Sequence, residues 1–250
     1  MSTLMKISII TATYNSLKTL PDVLQSIMSQ KYDPIEWIVI DGGSTDGTID
    51  FIKQHQDKIS RWVSEDDAGI YDALNKGIRY ATGDVIGFLH SDDIFASYNV
   101  FNAMSSIFKN TKVDGVYGDL QYINQSNTKI IRHWESCDFQ PKLLKQGWMP
   151  PHPTLFLRKS VYQKYGHFDL SYSIAADYDF MLRILKDETL TFVYLPEVIT
   201  KMRFGGASNK SIKNIIQKTK EDYRAITSNK VGNMFSIFRK NTSKIKQFFN

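Results

Sequence analysis

Four aspartates define the chemistry open to this chain. The stretch from Val85 to Phe95, Val-Ile-Gly-Phe-Leu-His-Ser-Asp-Asp-Ile-Phe, is an apolar run that stops at two adjacent carboxylates, Asp92 and Asp93. At the carboxyl end of a buried strand, such hard oxygen donors suit Mg²⁺ or Mn²⁺ carrying a phosphorylated substrate; taken alone, the pair also reads as a turn or a helix cap. Asp41 closes a second apolar run, Ile35 to Ile40, ahead of Gly42-Gly43-Ser44-Thr45-Asp46-Gly47. The fourth is Asp177, in Ala176-Asp177-Tyr178-Asp179-Phe180-Met181-Leu182-Arg183. Helical residues two apart point about 200° away from each other, so Asp177 and Asp179 cannot both face one site. Asp179 has Arg183 at i+4 as an ion-pair partner. Asp177 lies in the first turn, where the helix dipole favours a carboxylate.

Positioning these groups requires strands alternating with helices, the pattern of a mostly parallel sheet with helices on its faces. Lys6 to Ala12 reads as the first strand, and Leu20, Val23, Leu24, Ile27 and Met28 recur at helical spacing behind Thr19 and Pro21. Ile35 to Ile40 is the second strand, with a helix through about Gln56; Ile59 to Val63 is a short third. Ile70, Ala73, Leu74, Gly77, Ile78 and Ala81 mark a helix ended by Gly83, before the strand that carries Asp92 and Asp93. The alternation then weakens. A helix over Val100 to Lys109, strands at Gly115 to Asp119 and Lys129 to His133, a helix over Ala176 to Lys186 and a strand at Thr191 to Leu195 are expected. Three prolines within Gly147 to Pro153 exclude regular helix there.

Five segments in this order resemble the family 2 glycosyltransferases, which have the nucleotide-diphospho-sugar-binding GT-A fold. They are Ile9 to Asn15, Ile40 to Thr48, Asn75-Lys76-Gly77 with Ala81 to Asp84, Leu89 to Asp93, and Ala176 to Asp179. The first segment shows Thr-Ala-Thr-Tyr-Asn-Ser where a dinucleotide-binding protein would carry Gly-x-Gly-x-x-Gly, which argues against a nicotinamide or flavin enzyme. The resemblance implies an α/β GT-A domain over residues 1–208, with a nucleotide-binding half (1–110) and an acceptor-binding half (111–208). It implies an inverting, metal-dependent transfer of a sugar from a nucleoside diphosphate donor, with UDP the expected carrier, to a hydroxyl of a saccharide acceptor. Thr11, Thr13 and Asn15 would lie near the nucleotide, and Asp41 would accept the N3–H of a uracil-like base. Asp93 would ligate Mn²⁺ or Mg²⁺, Asp92 would orient the ribose or assist the metal, and Asp177 would be the general base. For Asn15, capping of the next helix is an equal alternative, and Asp46 reads as mainly a helix cap.

Two departures stand out. His90 replaces an aspartate or asparagine common in relatives, so strict Asp-x-Asp spacing is absent and Asp93 carries the metal assignment. Ala176 stands where relatives usually have Glu. Among the remaining candidates, Trp148 and His152 offer an aromatic face and a hydrogen-bonding ring to a sugar acceptor, with core packing the alternative for Trp148. Arg203 offers a guanidinium to the diphosphate, with a solvated arginine the alternative. The carboxylates of Ser64 to Asp72 either approach the sugar nucleotide or form a solvated loop.

Composition bounds the rest. A chain of 250 residues that is 42% hydrophobic supports a sizeable core, and one cysteine, Cys137, excludes an internal disulfide framework and fits a reducing compartment. Neither a signal peptide nor a spanning apolar segment is expected. Residues 1–200 hold 19 Lys+Arg against 24 Asp+Glu, while residues 201–250 hold 12 against 2. In that basic extension, 209–250, Ile212, Ile215 and Ile216, then Met234, Phe235, Ile237, Phe238, Ile245, Phe248 and Phe249, interleave with cations, which suits amphipathic helices on an anionic membrane surface. With no nucleic-acid motif present, nucleic acid is not an expected partner. The expected location is cytoplasmic, on the inner face of the cell membrane, acting on a lipid-linked acceptor for a cell-surface polysaccharide. The competing readings are a sugar-phosphate nucleotidyltransferase and a non-catalytic membrane-associated binding protein.

Overall fold

A computed structural model describes residues 4–205 and 212–246. Its centre is a parallel ladder. β1 (Ile7–Thr13) pairs on one side with β2 (Ile35–Asp41) and on the other with β4 (Val85–Phe88), and β3 (Arg61–Ser64) extends the sheet beyond β2. β1 is buried along its whole length, and its polar positions are small Ser and Thr residues among Ile and Ala. Side chains alternate across the sheet. Ile7, Ile9, Trp37 and Val39 pack with α1 (Leu20–Met28), α2 (Thr48–Gln54) and α4 (Val100–Phe108), while Ile10, Ile38, Ile40 and Phe88 pack with α3 (Ile70–Tyr80), α5 (Lys159–Tyr165) and α6 (Ala176–Leu185).

With β5 (Ile94–Phe95), β6 (Gly115–Ile123), β8 (Phe156–Arg158) and β9 (Phe192–Arg203), the full strand order is β3-β2-β1-β4-β8-β6-β9-β5, and β7 (Ile130–Trp134) also pairs with β6. Antiparallel β8 joins the parallel half to β6 and β9, so the sheet is mixed. β6 and β9 run well past their expected ends. Pro196, which has no N–H to give, sits where the β6–β9 register breaks between Tyr117↔Tyr194 and Asp119↔Val198, and the irregularity lets the strand continue through it. β5 and β8 are too short to show periodicity in sequence; β5 matters because it turns the chain back onto β9 directly after Asp93.

The C-terminal helices α7 (Ile212–Ser228) and α8 (Met234–Lys246) pack on the core. Ala225, Ile226 and Ile237 are buried in the same cluster as α6. Gly147, at φ +73°, admits α8 so closely that a Cβ there would lie 2.4 Å from the Ser236 carbonyl oxygen. The boundary expected near residue 208 falls in 206–211, outside the described residues, and the helices beyond it are continuous with the domain core. Ile215, Ile216, Met234, Phe235 and Phe238 remain exposed; Phe248 and Phe249 lie outside the described residues. No helix among the described residues is long and apolar enough to cross a membrane.

Candidate active site

The carboxyl ends of β1, β2 and β4 lie side by side, with Thr13 in register with Asp41 and Leu89 N–H donating to the Ile10 carbonyl at 3.1 Å. Past β4 the chain makes a tight turn, Asp93 N–H to His90 O at 3.0 Å, and buries the Asp93 carboxyl at 1% exposure. Neither Asp93 oxygen has a hydrogen-bond partner among the described residues. Burial, then the nearby Asp92 charge, raises this carboxyl well above the usual range, against a weaker pull from the Arg203 backbone and guanidinium. Asp92 is partly exposed at the same turn.

Arg203, expected either to clamp the diphosphate or to be solvated, is not solvated in this conformation. It is 3% exposed, and its guanidinium donates to the carbonyls of Asp92 (2.9 Å) and Gln125 (3.0 Å) and pairs with Asp22. Its positive charge therefore braces the backbone of the Asp92–Asp93 turn from behind.

The nucleotide-side expectations are redistributed. Thr11 lies within the helix-covered face, where its hydroxyl accepts the Trp37 indole N–H at 3.0 Å, so it supports the sheet rather than facing the cleft. Asp41 is fully buried. Its carboxylate accepts from Gly43 N–H (3.1 Å), Ser44 N–H (2.9 Å), Ser44 Oγ (2.5 Å) and Ser64 Oγ (2.7 Å), so in this conformation it shapes the 42–44 turn and offers no exposed acceptor to a base. Asn15, at φ +48°, joins that turn to β1: its N–H donates to Ser44 Oγ (2.7 Å) and its Oδ1 accepts Thr45 N–H (2.8 Å). Asp46 caps as expected, accepting from Thr48 and Leu17 N–H. Thr13 Oγ1 is buried with no hydrogen-bond partner among the described residues. Sequence reading left Asp66 and Asp67 without a role. Asp67 lies so close over the turn that a Cβ at Gly42 would sit 2.6 Å from its Oδ2, and Asp66 similarly abuts Gly43.

Asp177 enters the cleft from α6, half-buried in its first turn. Tyr71, in the first turn of α3, places its hydroxyl 2.9 Å from Asp177 Oδ1 and 2.6 Å from the Ile174 carbonyl. Oδ2 accepts no hydrogen bond among the described residues. Burial, the Asp177 charge and that hydrogen bond raise Tyr71 well above the usual phenol range, so it stays a donor. Tyr71 is the residue that sequence reading missed; only its place at the start of the helix after the acidic loop marked it. Asp179 turns away as expected, pairing with Arg183 at 3.2 Å and accepting from Asn229 Nδ2 at 2.8 Å.

Two histidines lie between the carboxylates. Burial lowers His90, while the charges of Asp92 and Asp177 oppose that shift, which places His90 within electrostatic reach of both. His152 is packed against Phe88 and Phe168, with its ring centroid 6.1 Å from that of His90. Burial lowers it to about 4 despite Asp177, so it is neutral at pH 7. His90 Nδ1 and His152 Nε2 are both buried without hydrogen-bond partners among the described residues. Trp148 instead joins an aromatic cluster with Phe139 and Tyr117, each with its ring centroid 5.8 Å away, which is the packing alternative.

This constellation sits in a chain that the family model for glycosyl transferase family 2 matches over residues 8–174. The chain belongs to glycosyl transferase family 2. An uncharacterized glycosyltransferase of Mycobacterium tuberculosis is 34% identical over 180 residues, covering 71% of this chain and 68% of the relative. A PGL/p-HBAD biosynthesis glycosyltransferase of Mycobacterium bovis is 31% identical over 207 residues, covering 81% and 78%. The fold matches Staphylococcus aureus TarS 1–349 in complex with UDP-GlcNAc at TM-score 0.68 and 16% identity, over 90% of this chain and 65% of that one. It matches the Pyrobaculum calidifontis mannosyltransferase PcManGT, in complex with GDP-Man and Mn²⁺, at TM-score 0.65 and 17% identity, over 91% and 64%. The chain thus spans a little under two thirds of each of these solved chains. The α/β GT-A architecture follows for this member of the family, and Asp177 lies just beyond the span of the family model.

Proposed function

We propose that this glycosyltransferase is inverting and metal-dependent, and that it moves a sugar from a UDP-linked donor to a hydroxyl of a lipid-linked saccharide. The observation that carries the reading is the buried carboxyl of Asp93, unpartnered among the described residues, in the turn after β4, with Asp92 and Asp177 both within electrostatic reach of His90. A buried carboxyl without donors costs stability unless a cation completes it. Among the described residues no three or more His, Cys, Asp or Glu side chains gather as a metal cage. Asp93, with Asp92, would hold such an ion together with the donor's diphosphate. When bound, Mg²⁺ or Mn²⁺ supplies positive charge against the departing diphosphate.

The chain's own groups do the rest. The turn at 42–44, shaped by Asp41 and fastened to Asn15, forms the floor for the nucleotide, and Asp66 and Asp67 supply acceptor oxygens beside it for an imide N–H. Tyr71 holds Asp177 Oδ1, leaving Oδ2 to take the acceptor's proton as its oxygen attacks the anomeric carbon. The bond to the diphosphate breaks on the opposite face, which inverts the configuration. His152, neutral and with Nε2 unpartnered among the described residues, is the candidate to hydrogen-bond a sugar hydroxyl. The two relatives' glycosyltransferase names and the nucleotide sugars in the two solved complexes support this reading. The exposed Phe and Met side chains of α8 and the cationic charge of residues 201–250 support attachment to the cytoplasmic face of a membrane.

A thermal-shift panel of UDP- and GDP-sugars with and without Mn²⁺ tests the donor site, since a true donor raises Tm by mass action. Asp93→Ala should abolish the Mn²⁺-dependent shift. Asp177→Asn should keep that shift while lowering transfer about 10²–10⁴-fold. Undiminished turnover in Asp177→Asn, with pyrophosphate as product, would instead indicate nucleotidyl transfer.

A further inference from the structure

Asp177 is gripped from outside the segment that the family model matches. Residues 173–175, the approach to α6, present three consecutive backbone N–H groups that precede the helix and need acceptors. The Glu221 carboxylate, on α7 and 5% exposed, takes all three: Ser173 N–H to Oε1 at 3.0 Å, and Ile174 and Ala175 N–H to Oε2 at 2.8 and 2.9 Å. Gln217 Nε2 donates to Oε1 at 2.7 Å and fixes the carboxylate from the same helix. The carbonyl of Ile174, held in this grip, is the second acceptor of the Tyr71 hydroxyl that contacts Asp177.

The next residue repeats the connection on the far side of Asp177. Asp222 pairs with Lys240 of α8 at 2.8 Å, with both side chains under 5% exposed, and the Lys240 ammonium lies 3.1 Å from the ring centroid of Tyr178. A buried ion pair on a surface-derived helix is a poor way to gain stability, because desolvation offsets most of the attraction. It is a good way to fix register. The residues on either side of Asp177, 173–175 and 178, are thus held by α7 and α8.

We propose that Glu221 is the positioning residue for the general base: its carboxylate clasps the three amides before α6, and α8 locks that clasp through Asp222 and Lys240. The inference rests on the base assignment made above. Its consequence is that the C-terminal helices belong to the catalytic machinery, since a displacement of about 1 Å at a reacting group costs roughly 10²-fold in rate.

The test compares full-length wild type with Glu221→Gln, which keeps side-chain length and loses the charge, and with Glu221→Ala. Two readouts are taken. Amide hydrogen exchange over residues 173–177 should accelerate at least about tenfold in both variants. The kcat per nucleotide-binding molecule, counted from UDP–Mn²⁺ binding stoichiometry, should fall about tenfold in Gln and further in Ala, with donor KM within about twofold of wild type. A purely structural role would lower the binding-competent fraction and leave kcat per competent molecule unchanged. Unchanged exchange at 173–177, or unchanged kcat per competent molecule, overturns the proposal. If wild type transfers no sugar from any donor, the functional reading fails, and the exchange measurement still decides whether the clasp exists.

Discussion

At the residue scale, the decisive feature is a carboxyl that the fold buries and whose two oxygens have no hydrogen-bond partner among the described residues. Asp93 is costly in the metal-free protein, because neither burial nor the neighbouring Asp92 charge favours its ionised form. Asp93→Asn keeps the shape and cannot ionise, so the metal-free variant should melt about 3 °C higher while losing the UDP–Mn²⁺ stabilisation. Calorimetry with and without Mn²⁺ separates the two effects, and a lower Tm in the variant would mean that the carboxyl has a partner in solution. Tyr71 acts differently, because its hydroxyl orients Asp177 without touching the reacting atoms. Tyr71→Phe should lower kcat about tenfold and leave donor-induced stabilisation intact, which steady-state kinetics beside thermal shifts will show.

At the element scale, the sheet that carries the site is fastened by a carboxylate remote from the chemistry. Glu36 on β2 lies between β1 and the turn from α3 to β4: it accepts from Ser8 Oγ (2.5 Å), Thr82 N–H (2.7 Å), Thr82 Oγ1 (2.6 Å) and Lys6 Nζ (3.0 Å). Burial raises its pKa, but those hydrogen bonds outweigh burial and bring it from 4.5 down to about 2. A carboxyl depressed on folding contributes stability above its unfolded pKa and loses it as pH falls through the folded value. Glu36→Gln should therefore cost on the order of 2–3 kcal/mol at pH 7, and the gap from wild type should close as pH falls from about 4.5 to 2. Urea unfolding across that range measures it, and a pH-independent gap would point to lost packing instead.

At the scale of the whole molecule, the C-terminal helices have two faces. The inner one is core, through Ala225, Ile226, Ile237 and the Asp222–Lys240 pair. The outer one exposes Met234, Phe235 and Phe238, with Arg239 stacked over Phe235, its guanidinium carbon 4.6 Å from the ring centroid. Wild type should sediment with phosphatidylglycerol vesicles, and Phe235→Ser/Phe238→Ser should weaken that binding at least about tenfold, with the residual binding removed by salt. Equal binding to neutral vesicles would exclude the charge argument. By itself, the sequence determined what local pattern encodes: the strand–helix alternation, the strand that ends at Asp92 and Asp93, the split between Asp177 and Asp179, and the segments that resemble the family. Each rests on spacing along the chain, which survives without knowledge of the fold. Tertiary structure alone decided which polar groups are satisfied. Thr11, Asp41 and Arg203 find partners 23 to 181 residues away or in a turn that only the folded loop creates, while Thr13, Asp93, His90 and His152 keep atoms that are unpartnered among the described residues. Hydrogen bonding between distant residues has no periodicity to read, so the same residue types that looked alike in sequence were divided by the fold into scaffold and site.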